Sequence, residues 1–247
     1  MSGAALVLTY HSISGAPGPT SIPPSVFAMQ MQTLADCGYS SASVDEFVAW
    51  HDGKADFDRR VLITFDDAFA DFAAHAVPVL KQHGFSALMF APSRKLGEIE
   101  DWYTNPPTNR PLMTKDQIVD LAGQGMEFGA HGRTHCNLTE LSGDALAEEV
   151  KGSGEDITAW LGRYTRAFAA PYGAVNAQVI QAIKGSYRVA FGTRFAKAMR
   201  SDDRHDIPRV DMHYFRNSWA WRNFLEGGML YFRSRQLLRG VGQRLRG

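Results

Sequence analysis

Leu62-Ile63-Thr64-Phe65-Asp66-Asp67 is an apolar run that stops on two adjacent carboxylates. Residues 61–65 show no polar alternation, which suits a strand covered on both faces in a parallel sheet. Two carboxylates at the end of such a strand are costly, because like charges disfavour each other's ionisation and an unpaired buried carboxylate is heavily penalised. A positive group is therefore expected beside them. Taken alone, Asp67 also suits the N-cap of a following helix.

Outward from this stretch the same strand-then-helix rhythm recurs. Strands are expected at residues 4–10, 61–65, 86–91, 126–130, 166–169, 189–192 and 207–212. Helices are expected at 26–35, 69–83, 141–161 and 176–185, with further starts at Ser43 and Thr114. Polar residues gather just past the strands: His11, Asp66 and Asp67, His131 to His135, and Pro171-Tyr172-Gly173. Active sites of (β/α) barrels are built there, so an α/β barrel is expected, with a doubly wound open sheet as the competing architecture. An irregular insertion at 92–113, carrying Trp102 and Tyr103, reads as a lid or binding loop. The domain division expected is a barrel over 1–213 and a basic, aromatic-containing helical tail over 214–247.

The 247 residues fit one large domain, with 45% hydrophobic and 21% charged residues. No stretch is long and apolar enough to span a bilayer as a helix. Residues 4–8 lack a basic leader, and Cys37 and Cys136 cannot make a disulfide framework, so a reducing cytoplasm is the expected setting. Net charge is zero, yet residues 216–247 hold seven arginines against one acid, Glu226. Such a tail suits an anionic membrane surface at the inner face, an acidic partner, or a basic helix packed on the barrel. No Gly-x-Gly-x-x-Gly follows a strand and no phosphate-binding loop occurs, so no nucleotide or nucleic acid is expected.

His131 and His135 stand four apart, so both imidazoles can face one point, and with a carboxylate from another strand end they make a divalent-metal set with an open position. The bland alternative is two polar loop residues. Gly132 and Arg133 between them rule out the His-Glu-x-x-His pattern of zincin peptidases.

Together, Thr64-Phe65-Asp66-Asp67, His131-Gly132-Arg133-Thr134-His135 and Phe168-Ala169-Ala170-Pro171-Tyr172-Gly173 resemble the motifs of carbohydrate esterase family 4, the polysaccharide deacetylases. Leu8-Thr9-Tyr10-His11-Ser12-Ile13 resembles the Tyr-His start of a bacterial branch of that family. The likeness covers about residues 8–212. It implies a deformed (β/α)7-type barrel, to which the helical C-terminal tail is appended, and one divalent metal, zinc before cobalt, nickel or manganese, on Asp67, His131 and His135. It implies Asp66 as general base and the backbone N–H of Tyr172 as oxyanion donor. His11 is the expected general acid, with His213 as the alternative. Two positions depart from the pattern. Ala68 stands where glycine is usual. Ala169 stands where an arginine usually pairs with the base, which leaves Arg209, or less favourably Arg166, to supply that charge.

The implied reaction is removal of acetyl from N-acetylated sugars of a bacterial polysaccharide or lipid-linked precursor. The alternatives are a catalytically impaired glycan-binding relative, kept open by the missing arginine, and an O-acetyl esterase. Trp102, Tyr103 and Tyr172 are expected to stack on sugar rings, whereas Trp219 and Trp221, at helical spacing near Phe224 and Leu225, fit a core.

Overall fold

Seven parallel strands close on themselves in the computed structural model, which describes residues 3–102 and 108–244. The strands are β1 (Ala4–Tyr10), β2 (Ser40–Ser41), β3 (Arg60–Phe65), β4 (Leu88–Ala91), β5 (Glu127–Ala130), β6 (Ala167–Ala169), β7 (Val189–Phe195), β8 (Ala198–Met199) and β9 (Ile207–Asp211). The helices are α1 (Pro24–Asp36), α2 (Val44–His51), α3 (Val77–Gln82), α4 (Lys115–Gly123), α5 (Gly143–Leu161), α6 (Ala177–Ser186), α7 (Ser218–Leu225) and α8 (Leu230–Arg244). The ring runs β1-β3-β4-β5-β6-β7-β9 and returns to β1, because β1 pairs in parallel with both β3 and β9. This is a closed α/β barrel, and the open doubly wound sheet is excluded. Short β2 pairs with the start of β3, and β8 runs antiparallel to the start of β1.

Strand alternation divides the apolar side chains into two sets. Val7, Leu62, Phe90, Phe191 and Ile207 form one cluster with Phe47, Trp50 and Phe57, so α2 and the segment after it close the N-terminal mouth of the barrel. Leu8, Ile63, Met89 and Phe168 belong to the other cluster, packed under the surrounding helices. Register aligns the outgoing ends: Tyr10 is opposite Phe65, Phe65 opposite Met89, Ala130 opposite Phe168, and Thr9 opposite Asp211. The residues that follow these strands therefore emerge on one rim.

The helix expected over 69–83 is broken. Asp67 and Ala68 both have positive φ (75° and 58°), Phe69 bridges to Leu112, a π-helical turn spans Phe72–Ala76, and α3 begins only at Val77. Pro78 has no N–H to give and its ring crowds the preceding turn, which accounts for the widened turn ahead of it. Ala68 carries the Cβ that makes a left-handed conformation cost about 1–2 kcal/mol.

Beyond residue 213, Trp221 is fully buried and donates from Nε1 to the carbonyl of Gln30 (3.1 Å). Gln30, buried in α1, in turn donates to the carbonyls of Met212 and Phe215. Phe224 and Phe232 join the same cluster, whereas Trp219 is 71% exposed. Among the described residues no helix is long and apolar enough to cross a membrane.

Candidate active site

The rim holds a cleft of about 400 Å³ lined by His11, Asp66, Asp67, His131, His135 and Tyr172, among others. The two aspartates point to different partners. Arg209 donates from Nη1 to Asp66 Oδ1 (2.7 Å) and from Nη2 to Oδ2 (2.8 Å), the bidentate geometry that makes an ion pair directional. Strand alternation sends Arg209 inward from β9, where its Nε donates to the carbonyl of Gly192 and its Nη1 also meets the Thr64 hydroxyl. Thr64 Oγ1 donates to the carbonyl of Leu8. Burial opposes ionisation of Asp66, but the charge and hydrogen bonds of Arg209 prevail and hold its carboxyl below the usual range. Arg166 lies elsewhere, in an exposed pair with Asp45.

Asp67 instead faces the imidazoles. Its Oδ1 lies 3.2 Å from His131 Nε2 and 3.1 Å from His135 Nε2. His131 Nδ1 donates to the carbonyl of Ala169 (2.7 Å), which fixes the ring and leaves Nε2 directed at Asp67. One ligand atom from each of the three residues lies within 4.8 Å of the others, and all three side chains are buried. His135 Nδ1 is buried without a hydrogen-bond partner among the described residues. Two imidazole nitrogens converging on one carboxylate oxygen, with an open cleft in front, fit a three-ligand divalent site. Electrostatics agree: despite burial, the charge of His135 and the bonds from both imidazoles hold Asp67 well below the carboxylate range. Burial pushes His135 down; His131 is raised, its burial outweighed by the hydrogen bond to Asp67 and by both aspartate charges.

The loop between the two histidines is shaped by Glu149 of α5. Its Oε2 accepts from the backbone N–H groups of Arg133 (2.7 Å) and Thr134 (3.0 Å), and its Oε1 accepts from the Thr134 hydroxyl (2.8 Å). His11 is held in a similar way, because Asp71 accepts from the Ser12 hydroxyl and the Ile13 N–H, and His75 Nδ1 donates to the Ile13 carbonyl. Neither carboxylate has a sequence signature, since each acts from a distant helix or turn.

His11 Nε2 stands 3.9 Å from Asp66 Oδ2, and its side chain is 26% exposed to the cleft. His213 is not among the cleft-lining residues; it sits in a 3-10 turn against Tyr214, with its Nδ1 buried and unpartnered among the described residues. The Pro171-Tyr172-Gly173 turn puts Tyr172 at φ 60° and Gly173 at φ 65°. A Cβ at Gly173 would lie 2.4 Å from Thr193, so this turn demands glycine twice over.

Trp102 stacks on the His135 ring with centroids 3.9 Å apart, and Tyr172 meets the same ring edge-on at 4.8 Å. Tyr103 lies outside the described residues. The insertion that delivers Trp102 is tied down by the buried pair Arg110–Glu100 (2.7 Å), and Arg110 also donates to Thr20 and Ser21 in the loop after β1.

The polysaccharide deacetylase family model matches residues 53–186 of this chain. YxkH of Bacillus subtilis is 26% identical over 206 residues, which is 83% of this chain and 70% of that one. The poly-beta-1,6-N-acetyl-D-glucosamine N-deacetylase of Staphylococcus epidermidis is 27% identical over 198 residues, 74% of this chain and 65% of that one. Among solved structures, IcaB from Ammonifex degensii superposes with a TM-score of 0.76 at 23% identity, covering 92% of this chain and 98% of that one. The Streptococcus pyogenes deacetylase PplD in complex with acetate gives 0.73 at 24% identity, covering 84% and 92%. The structural likenesses bear on the fold and the sequence match on descent: this chain belongs to the polysaccharide deacetylase family.

Proposed function

We propose that the protein is a metal-dependent carbohydrate N-deacetylase that releases acetate from N-acetylated sugar units. The observation that carries this reading is the division of labour between neighbours: Arg209 holds Asp66 apart while Asp67 alone meets His131 and His135. Asp67 Oδ1 and the two Nε2 atoms would hold the cation, for which zinc suits a donor set of two nitrogens and one oxygen. A divalent cation supplies Lewis acidity to the acetyl carbonyl and to water.

The remaining steps belong to the chain itself. Asp66, kept ionised by Arg209, accepts the proton of the attacking water as its oxygen bonds to the acetyl carbon. His11 donates a proton to the sugar nitrogen as the C–N bond breaks, giving acetate and a free amine. The backbone N–H of Tyr172, in its left-handed turn, is the proposed donor to the developing oxyanion. Trp102 and Tyr172 wall the cleft beside His135 and offer apolar surface to a sugar ring. The name of the staphylococcal relative supports an N-acetylglucosamine glycan as the substrate class. The impaired, glycan-binding alternative drew on the arginine missing at Ala169, and the Arg209 contact removes that ground.

Acetate release from an N-acetylglucosamine oligomer, measured with and without chelator and with Asp66→Asn, tests the reading. Loss under both treatments is expected, and activity indifferent to both refutes it. Comparing O-acetyl with N-acetyl substrates separates an esterase from an amidase.

A further inference from the structure

Helix α8 turns its leucines away from the barrel. At about 100° per residue, Phe232, Gln236 and Arg239 share one face of the helix. That face is packed: Phe232 meets Phe195 and Phe224 at ring separations of 4.9 and 4.8 Å, and Gln236 donates to the carbonyl of Phe195 (2.8 Å). Arg239 lies 3.6 Å from Asp211 and lines the cleft. Leu230, Leu237 and Leu238 fall on the opposite side and are 87%, 72% and 64% exposed. A helix packed on a globular core normally buries such residues, so this stripe is unpartnered. The segment's own charge has one sign, since residues 230–247 contain five arginines and no acid.

We propose that the outer face of α8 docks on an anionic lipid surface, with Leu230, Leu237 and Leu238 entering the boundary between headgroups and acyl chains. Arg233, exposed beside the stripe, meets lipid phosphate. Charge decides between occupants. A second copy of the chain would bring the exposed Arg233 of each helix together on two helices that carry no acid, whereas anionic headgroups complement that charge. The contact is peripheral. Because Arg239 projects from the opposite side of the same helix, docking holds the cleft roughly one helix diameter, ~10 Å, from the headgroups. For the substrate, and resting on the deacetylase reading, this favours an acetylated glycan made at or carried on a membrane.

The test is co-sedimentation of the full chain with vesicles of phosphatidylcholine alone and of phosphatidylcholine with about one third phosphatidylglycerol. It needs no enzymatic readout, so it stands or falls apart from the catalytic reading. Binding is expected to the anionic vesicles, weakening as salt rises, and to drop about tenfold or more in Leu237→Asp/Leu238→Asp with an unchanged thermal melt. No binding to anionic vesicles, equal binding to neutral ones, or full binding by the double variant overturns the proposal. So does lipid-independent dimerisation that the double variant abolishes, since the leucines then cover a second copy.

Discussion

Arg209 grips Asp66 through two parallel hydrogen bonds of 2.7 and 2.8 Å, across 143 positions of sequence. The arginine enters from β9, while the position usually filled by the base's partner carries Ala169, whose carbonyl orients His131 instead. Charge is thus delivered to the proposed base from a different strand.

Replacing Arg209 by Met leaves Asp66 buried and unpaired, a change that costs about 3–5 kcal/mol for such pairs. The sign for pH follows from the direction of the shift. In the native protein Asp66 titrates below its ordinary value, so its contribution to stability is present above the unfolded value and is lost as pH falls through the folded one. Without Arg209, burial prevails and the value rises. The acidic limb of the kcat profile should move to higher pH, and an unmoved limb with a normal melt would show that Arg209 does not tune the base.

His11→Ala should lower kcat by about 10²–10⁴-fold, the usual range for a lost general acid, with metal content retained. His213→Ala should leave turnover within a few-fold, since His213 is not among the cleft-lining residues. Elemental analysis alongside steady-state kinetics decides, and the reverse pattern would transfer the acid role to His213.

Removing Glu149 tests how the histidine loop is held. Glu149→Ala strips an acceptor from two backbone N–H groups and a hydroxyl, and should weaken zinc affinity by about 10–100-fold in a chromophoric-chelator competition. Glu149→Gln keeps one acceptor oxygen and should fall between. If both variants bind zinc like the native protein, Glu149 is structural only.

Trp221→Ala should destabilise the protein by about 3–5 kcal/mol in denaturant titration, because it empties a fully buried site and removes the hydrogen bond that ties α7 to the carbonyl of Gln30. Trp219→Ala, on the exposed side of the same helix, should change stability by no more than about 0.5 kcal/mol.

Strands such as β1, β3 and β4 were legible because each is built on a short apolar run, and a strand buried on both faces has little other way to be written, whereas β9 carries Arg209 within it. Asp66, Asp67, His131 and His135 were legible for the same reason, standing where those runs stop. Other features left weaker traces. Pro78 marked the break in the helix expected over 69–83, but the residue alone does not say that the preceding turn widens. Glu149 and Asp71 reach their loops only through the tertiary fold, and an isolated carboxylate in a helix reads as solvated surface. The outward leucines of α8 follow ordinary helical spacing, so their pattern alone does not tell which side the barrel takes.

The place of β9 gives the chain an order of events. It is the last strand laid into the ring, between β7 and β1, and it carries Arg209. A chain emerging from the ribosome therefore holds Asp66, both histidines and His11 well before Arg209, the partner of Asp66, arrives. Closing the cylinder and bringing Arg209 to Asp66 become one act.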